Sequence, residues 1–251
     1  MNRVLFEPAE RVAADEVLVR GDRARHVALV LKAAPGGTIR AGEVGGARFD
    51  EARLLAVSPD ECRFDPGPAR PPMARAPWDL LLALPRPKCL RRLWPQLAAL
   101  GPSRVYLTAA EKVEKSYWGS TFLDPAVVRP MLLDGLAQAG DTILPEIEIH
   151  RRLKPLVEDV LPVRYAPGAR LLAHPATATD TAPDAPDGAP GLLAIGPEGG
   201  WSDYELRLFE AQGFRRVSFG ERILRTDTAV VWAFAFLARP RPGVAAAGAI
   251  C

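Results

Sequence analysis

The sequence predicts an α/β protein: a small β-rich domain followed by a larger domain in which strands alternate with helices. Three observations carry this. Asp65 to Pro77 (DPGPARPPMARAP) holds five prolines, which fix backbone dihedrals and remove amide donors, so neither helix nor sheet runs through it. Before that break, short apolar stretches are separated by turn residues. After it, short apolar runs alternate with segments of helical character, the rhythm of a parallel sheet with covered faces.

In the first segment, Arg3–Phe6, Glu16–Arg20, Thr38–Ala41 and Arg53–Val57 read as strands, punctuated by Pro35-Gly36-Gly37 and Gly45-Gly46. A barrel-like arrangement is expected. Residues 1–70 form this domain and 71–77 the linker. The second domain spans 78–240, and 241–251 is a tail. Its expected strands are Asp79–Leu84, Arg104–Thr108, Glu146–His150, Arg170–His174, Gly191–Ile195 and Arg215–Phe219. Pro95, inside the helical stretch Leu90–Leu100, should kink or restart that helix. Ala176 to Pro190 is rich in Ala, Thr, Asp and Pro and is expected to be a mobile surface loop.

The net charge of +2 does not demand a polyanionic partner, although 27 of the 32 basic residues are Arg. Arg offers a planar fork suited to phosphate; a GC-rich genome produces the same bias. Charge is clustered, however. Arg86, Lys88, Arg91, Arg92, Arg104, Lys112 and Lys115 stand against only Glu111 and Glu114 over that span, either a phosphate-facing patch or the solvated face of a helix and loop. The longest charge-poor apolar run, Thr228 to Ala238, is too short to span a bilayer. No apolar signal segment opens the chain, so a cytoplasmic protein is expected. Cys62, Cys89 and Cys251 are widely spaced and have no neighbouring His, which argues against a metal site and a disulfide scaffold. His150 and His174 belong to no metal or triad pattern.

The sharpest local signal is GLLAIGPEGGWSDYELRLFEAQG, Gly191 to Gly213. A buried strand runs into Gly196-Pro197-Glu198-Gly199-Gly200. Ser202 and Glu205 then have capping-box spacing, and Gly213 stands where a helix C-cap belongs. A glycine-dense turn at the end of a parallel strand lets the backbone approach a ligand closely; a purely structural turn has the same composition. No Gly-Lys-Ser/Thr follows, and the G-x-G-x-x-G spacing is absent, so neither a P-loop nor a dinucleotide fingerprint is present. A second loop, Phe219 to Ala229 (FGERILRTDTA), precedes an apolar helix ending at Leu237. Thr226, Asp227 and Thr228 are its expected caps. Because that helix is apolar nearly all round, it should be buried on both sides, in the core or at a subunit interface. Loops following three strands, His174-Pro175 among them, would make one pocket.

IGPEGGWSDYE followed by FGERILRTDTA and a terminal apolar helix resembles the RsmE family of SPOUT-class RNA methyltransferases. The likeness extends to RARHVALVLKAAPGGTI, similar to the family's small PUA-like β-barrel, and to LLALPRPK, similar to its first catalytic strand and basic loop. The resemblance implies a C-terminal knotted SPOUT domain after a PUA-like barrel. It also implies a homodimer with each active site at the subunit interface, and S-adenosylmethionine as methyl donor to N3 of a uridine in small-subunit ribosomal RNA. On the matching positions it assigns the cofactor to Leu172, Ala173 and His174, to Ile195, Gly196, Pro197, Glu198, Gly199 and Gly200, and to Phe219, Gly220, Ile223, Leu224, Arg225, Thr226, Thr228 and Ala229. Ile195, Ile223 and Leu224 would sandwich the adenine.

Arg225 and Glu198 are the candidate catalytic residues. The first would stabilise negative charge on a uracil carbonyl, and the second would act as base or positioning group. Arg23, Arg25, His26, Lys32, Arg86, Lys88 and Arg91 are the candidate RNA contacts. The chain departs from the family pattern where Ala137-Gln138-Ala139-Gly140-Asp141-Thr142 replaces a usual Glu-Gln-Ser-Gly-Arg run. That departure fits a subgroup with compensating residues, such as Lys115, Tyr117 and Trp118, or a changed RNA target. A SPOUT enzyme acting on another RNA and a catalytically silent RNA-binding homologue are the rival readings.

Overall fold

A computed structural model describes residues 2–174 and 189–238. The low-complexity stretch from Ala176 lies outside the described residues except at its last two positions, as does the 241–251 tail. The chain divides into two compact units. One comprises Met1–Ala74, Trp94–Gly101 and Val128–Leu144, the other Arg75–Leu93, Pro102–Val127 and Pro145–Cys251.

The first unit is built on six strands: β1 (Val4–Phe6), β2 (Arg11–Ala13), β3 (Glu16–Arg20), β4 (Thr38–Glu43), β5 (Arg48–Val57) and β6 (Glu61–Asp65). Their order is β1-β4-β5-β6-β3-β2. Only the β1–β4 pairing is parallel. The expected barrel is a curled open sheet with β1 and β2 at its edges. Its concave face is filled by Phe6, Val17, Val19, Ala41, Phe49, Leu54 and Phe64, with Ala24 of the short helix α1 (Asp22–Arg25) and Val27 packed against them. Arg3 is 4% exposed. It offsets the cost of burying its charge with hydrogen bonds to the carbonyls of Ala41, Phe49 and Gly140 and an ion pair with Asp50 (2.7 Å). The Arg3 guanidinium in turn holds the Asp50 carboxyl below its usual pKa.

The second unit contains β7 (Trp78–Ala83), β8 (Arg104–Thr108), β9 (Glu146–His150), β10 (Arg170–Ala173), β11 (Gly191–Ile195) and β12 (Arg215–Val217). They form one sheet in the order β12-β10-β11-β7-β8-β9, parallel throughout. Every side chain of β7 and β11 is buried, as continuous apolar runs in a doubly covered sheet require. Two short helices, α4 (Leu153–Pro155) and α5 (Leu161–Arg164), the π-helical stretch Leu156–Val160 that joins them, and the longer α6 (Asp203–Ala211) cover one face through Leu153, Leu156, Val157, Leu161, Leu206 and Phe209, packed on Leu81, Tyr106, Leu172 and Leu192. The final helix α7 (Thr226–Leu237) packs on β11.

Two further sequence expectations meet corrections. Helix α2 (Pro87–Leu100) runs unbroken across Pro95. An interior proline costs a helix about 3 kcal/mol, and burial of Leu90, Leu93, Trp94, Leu97 and Ala98 along one face offsets it. A second helix, α3 (Pro125–Ala139), brings Gly135 so close to Pro95 that a Cβ there would lie 2.1 Å from the Pro95 carbonyl oxygen. Next, α7 begins at Thr226, so Arg225 occupies the N-cap position and no side chain caps the helix. Within the single chain, α7 is covered on one side, with Thr228, Val231, Trp232 and Ala235 exposed, so of the two alternatives for its apolar surface the core one does not hold. The predicted capping box does close α6. The Glu205 amide donates to Ser202 Oγ (3.4 Å) and the Ser202 amide to Glu205 Oε2 (2.8 Å). Gly213, at φ +74°, ends that helix with the paired amide bonds of a Schellman turn.

Candidate ligand pocket

Parallel strands send their following loops to one edge of the sheet. β10 ends at Ala173 and is followed by His174; β11 ends at Ile195 and is followed by the glycine turn. β12 ends at Val217 and is followed by the 218–225 loop. These three connections enclose a cavity of about 460 Å³, within the range of small-molecule sites. Its wall includes Ala173, His174, Ile195, Gly196, Pro197, Glu198, Gly199, Gly200, Phe219, Gly220, Ile223, Leu224, Thr226 and Ala229. Leu172, Arg225 and Thr228 are not in the wall. Leu172 is buried in the sheet, while Arg225 and Thr228 are exposed at the start of α7.

Sequence reasoning missed three wall residues, Lys112, Trp201 and Ser218, and did not single out a fourth, Arg222, inside the 219–229 loop it had named. Trp201 had the clearest available signal, since it directly follows the glycine turn. It packs edge-on against Phe209 (4.8 Å between centroids). A Cβ at Gly196 would lie 3.1 Å from its Nε1, so the absence of a side chain at Gly196 is what admits the indole. Gly200, at φ +70°, takes the left-handed conformation that turns the chain into α6. Lys112 was visible only as one member of the basic cluster. Its Nζ donates to the Gly199 carbonyl (2.9 Å).

Polar groups in the wall are few and specific. Trp201 Nε1 and His174 Nδ1 are buried and have no hydrogen-bond partner among the described residues. Burial, reinforced by the Arg216 guanidinium, holds the His174 imidazole below its ordinary pKa, which favours the neutral ring at neutral pH. Glu198 Oε1 accepts a bond from the Arg86 amide (3.2 Å), tying the glycine turn to the β7–α2 connection. Asp227, beside the pocket, pairs with Arg92 (2.7 Å). Burial alone would raise its pKa, but the bond and charge of Arg92 hold it lower. Ile223 is 92% exposed, an apolar side chain standing in solvent at the rim. Among the described residues no group of three or more His, Cys, Asp or Glu could hold a metal ion. No helix there is long and apolar enough to cross a membrane.

The candidate RNA contacts fall in different surroundings. Arg23 is held by Glu10 through two bonds (2.6 and 2.7 Å) and by the Leu5 carbonyl. Arg25 and Lys32 are exposed, and His26 is half-buried. Arg86, Lys88 and Arg91 are exposed at the start of α2, where Arg91 lies over the Phe122 ring. Of the residues considered as compensating, Tyr117 donates to Glu114 (2.9 Å) and Trp118 lies beneath Arg151. Asp141 is 4% exposed and accepts from the Thr142 amide (2.7 Å), closing a local turn.

A parallel sheet with a glycine-walled pocket at its carboxyl edge defines a class of ligand-binding α/β domain. Residues 72–238 match the sequence model of the family described as the RNA methyltransferase domain. Over 97% of its length the chain is 32% identical to the ribosomal RNA small subunit methyltransferase E of Treponema pallidum, covering 96% of that protein. The chain belongs to this ribosomal RNA small subunit methyltransferase E (RsmE) family, a SPOUT-class family. The fold agrees. The enzyme of the same name from Neisseria gonorrhoeae, solved with S-adenosyl methionine, superposes with a TM-score of 0.74 at 18% identity, over 94% of this chain and 95% of that one. A Legionella pneumophila protein solved with bound SAM gives 0.72 at 22% identity, over 94% and 96%.

Proposed function

We propose that this chain transfers the methyl group of S-adenosylmethionine to N3 of a uridine in small-subunit ribosomal RNA. The observation that carries the proposal is the convergence of the three loops on one cavity in a chain of this family. The wall suits the cofactor. Ile195, Ile223 and Leu224 supply apolar surface for a flat purine, and the close backbone at Gly196 and Gly200 supplies amides and carbonyls. The unpartnered Trp201 and His174 nitrogens are polar groups in want of a ligand. When bound, the cofactor supplies a methyl already activated by the sulfonium.

What remains for the protein is alignment and charge control. Transfer forms the N3–methyl bond, breaks the methyl–sulfur bond and releases the N3 proton. Arg225, exposed beside the pocket, stabilises the negative charge that develops on a uracil carbonyl oxygen. Glu198 holds the Arg86 turn against the glycine loop and, as the carboxylate in the pocket wall, is the group assigned to receive the proton or to position the base. The first unit, read as a PUA-like module, and the start of α2 contact RNA through Arg25, Lys32, Arg86 and Lys88. Their exposure supports this. The apolar exposed side of α7, with Val231 and Trp232, fits a homodimer interface. A trefoil knot in the second unit and a cytoplasmic location complete the reading.

The test is transfer of labelled methyl to unmodified small ribosomal subunits and to their protein-free RNA, with nucleosides identified by mass spectrometry. N3-methyluridine is the expected product. Arg225→Ala should abolish turnover while RNA and cofactor affinity persist. Cofactor binding without any labelled product in either substrate would overturn the reaction assigned here.

A further inference from the structure

The loop after β8 is fastened to the pocket at two points. The Glu111 amide donates to Glu205 Oε1 (2.7 Å), while Glu205 Oε2 takes the Ser202 amide (2.8 Å). Glu205 is only 4% exposed, so one buried carboxylate joins the start of α6 to this loop. One residue further on, the Lys112 stem lies against Gly199: a Cβ at that glycine would come within 3.0 Å of Lys112 Cδ and 3.2 Å of its Cβ. Lys112 Nζ donates to the Gly199 carbonyl (2.9 Å). An ammonium has three donors, and among the described residues this one has no carboxylate partner. Charge-assisted bonds to a carboxylate are the strongest use of the remaining two.

We infer that Lys112 recognises the α-carboxylate of the cofactor's amino-acid moiety, with Glu205 as the residue that positions it. The assignment rests on the S-adenosylmethionine reading of the pocket. Arg222 is the other cation in the wall. Both side chains are exposed, but only Lys112 is fixed to the pocket, by its bond to the Gly199 carbonyl; among the described residues Arg222 has no such bond. The preference for an amino-acid-bearing nucleoside therefore resides in Lys112.

Calorimetric titration with two probes separates these possibilities. S-adenosylhomocysteine carries the amino acid; 5′-methylthioadenosine keeps the adenosine and the thioether but lacks it. The wild type should bind the first more tightly. Lys112→Met should weaken S-adenosylhomocysteine by about tenfold and leave 5′-methylthioadenosine within about twofold, the scale of one charge-assisted bond at an open site. Lys112→Arg should restore most of the preference, and Glu205→Gln should lower it in part, with circular dichroism confirming that each variant is folded. Arg222→Met should keep it. Equal weakening of both probes by Lys112→Met, no change in either, or loss of the preference in Arg222→Met overturns the assignment while the cofactor reading stands. Failure of the wild type to bind either probe overturns both together.

Discussion

Replacing Asp79 with alanine tests how the second unit is held together. Asp79 lies near the start of β7 and is fully buried. Its Oδ1 accepts the Arg104 amide (2.7 Å) from the start of β8, and its Oδ2 accepts the Tyr165 hydroxyl (2.7 Å) from the segment leading to β10. Tyr106 Oη lies 3.2 Å from the same hydroxyl and takes a bond from Arg164 (2.8 Å). Burial, together with these neighbours, pushes the Tyr165 phenol well above its ordinary pKa, so it remains a donor. Truncation at Asp79 strands two donors. At roughly 1.5–3 kcal/mol for each bond to a carboxylate, less where the Arg104 amide can reach water, the loss is about 3–5 kcal/mol. For a chain of this size that corresponds to a midpoint lower by about 10 °C. Thermal and urea unfolding at fixed protein concentration would measure it. Tyr165→Phe should cost about half as much, and the double variant less than the sum, because the two share one bond. A loss below about 1 kcal/mol for Asp79→Ala, or full additivity with Tyr165→Phe, would refute the reasoning.

Gly135→Ala should destabilise the first unit by at least about 2 kcal/mol, since the added methyl meets Pro95 backbone rather than a side chain that can move; urea unfolding reads this directly. Arg92→Ala should cost about 1 kcal/mol at neutral pH by removing the partner of Asp227. The Asp227 pKa is depressed in the folded chain. The pair's contribution is therefore full above the unfolded carboxylate pKa and is lost as pH falls through the folded value. The wild-type advantage over Arg92→Ala should shrink on acidification, and a gap that widens instead would contradict the pairing. Cys62 and Cys89 are buried, and burial pushes both thiols up to about 11. Iodoacetamide mapped by mass spectrometry should label neither at pH 7.5 until the chain unfolds.

The central strands of the second unit were legible because burial on both faces leaves apolar runs such as Asp79–Leu84 and Gly191–Ile195. Two strands of the first unit were not. β2 has three residues, and β6 alternates Cys62 and Phe64, buried, with partly exposed Glu61, Arg63 and Asp65, a period-two signal that a search for continuous apolar runs passes over. The pocket loops were readable from their glycines and caps. Lys112 was not, because its place depends on a long-range bond between the Glu111 amide and Glu205, ninety-four residues apart. The start of α7 was misread because Thr226 and Thr228 have the composition of caps, whereas the chain enters the helix through Arg225 in an extended conformation.

The Asp79 cluster and the pocket stand at opposite edges of the same parallel sheet, the first where β7 begins and the second where β10, β11 and β12 finish. Changes that redraw the loops, in length or in chemistry, therefore leave the anchorage untouched. A lineage is free to drift toward a new RNA target at one edge while selection for thermal endurance acts at the other, and the two histories need not collide.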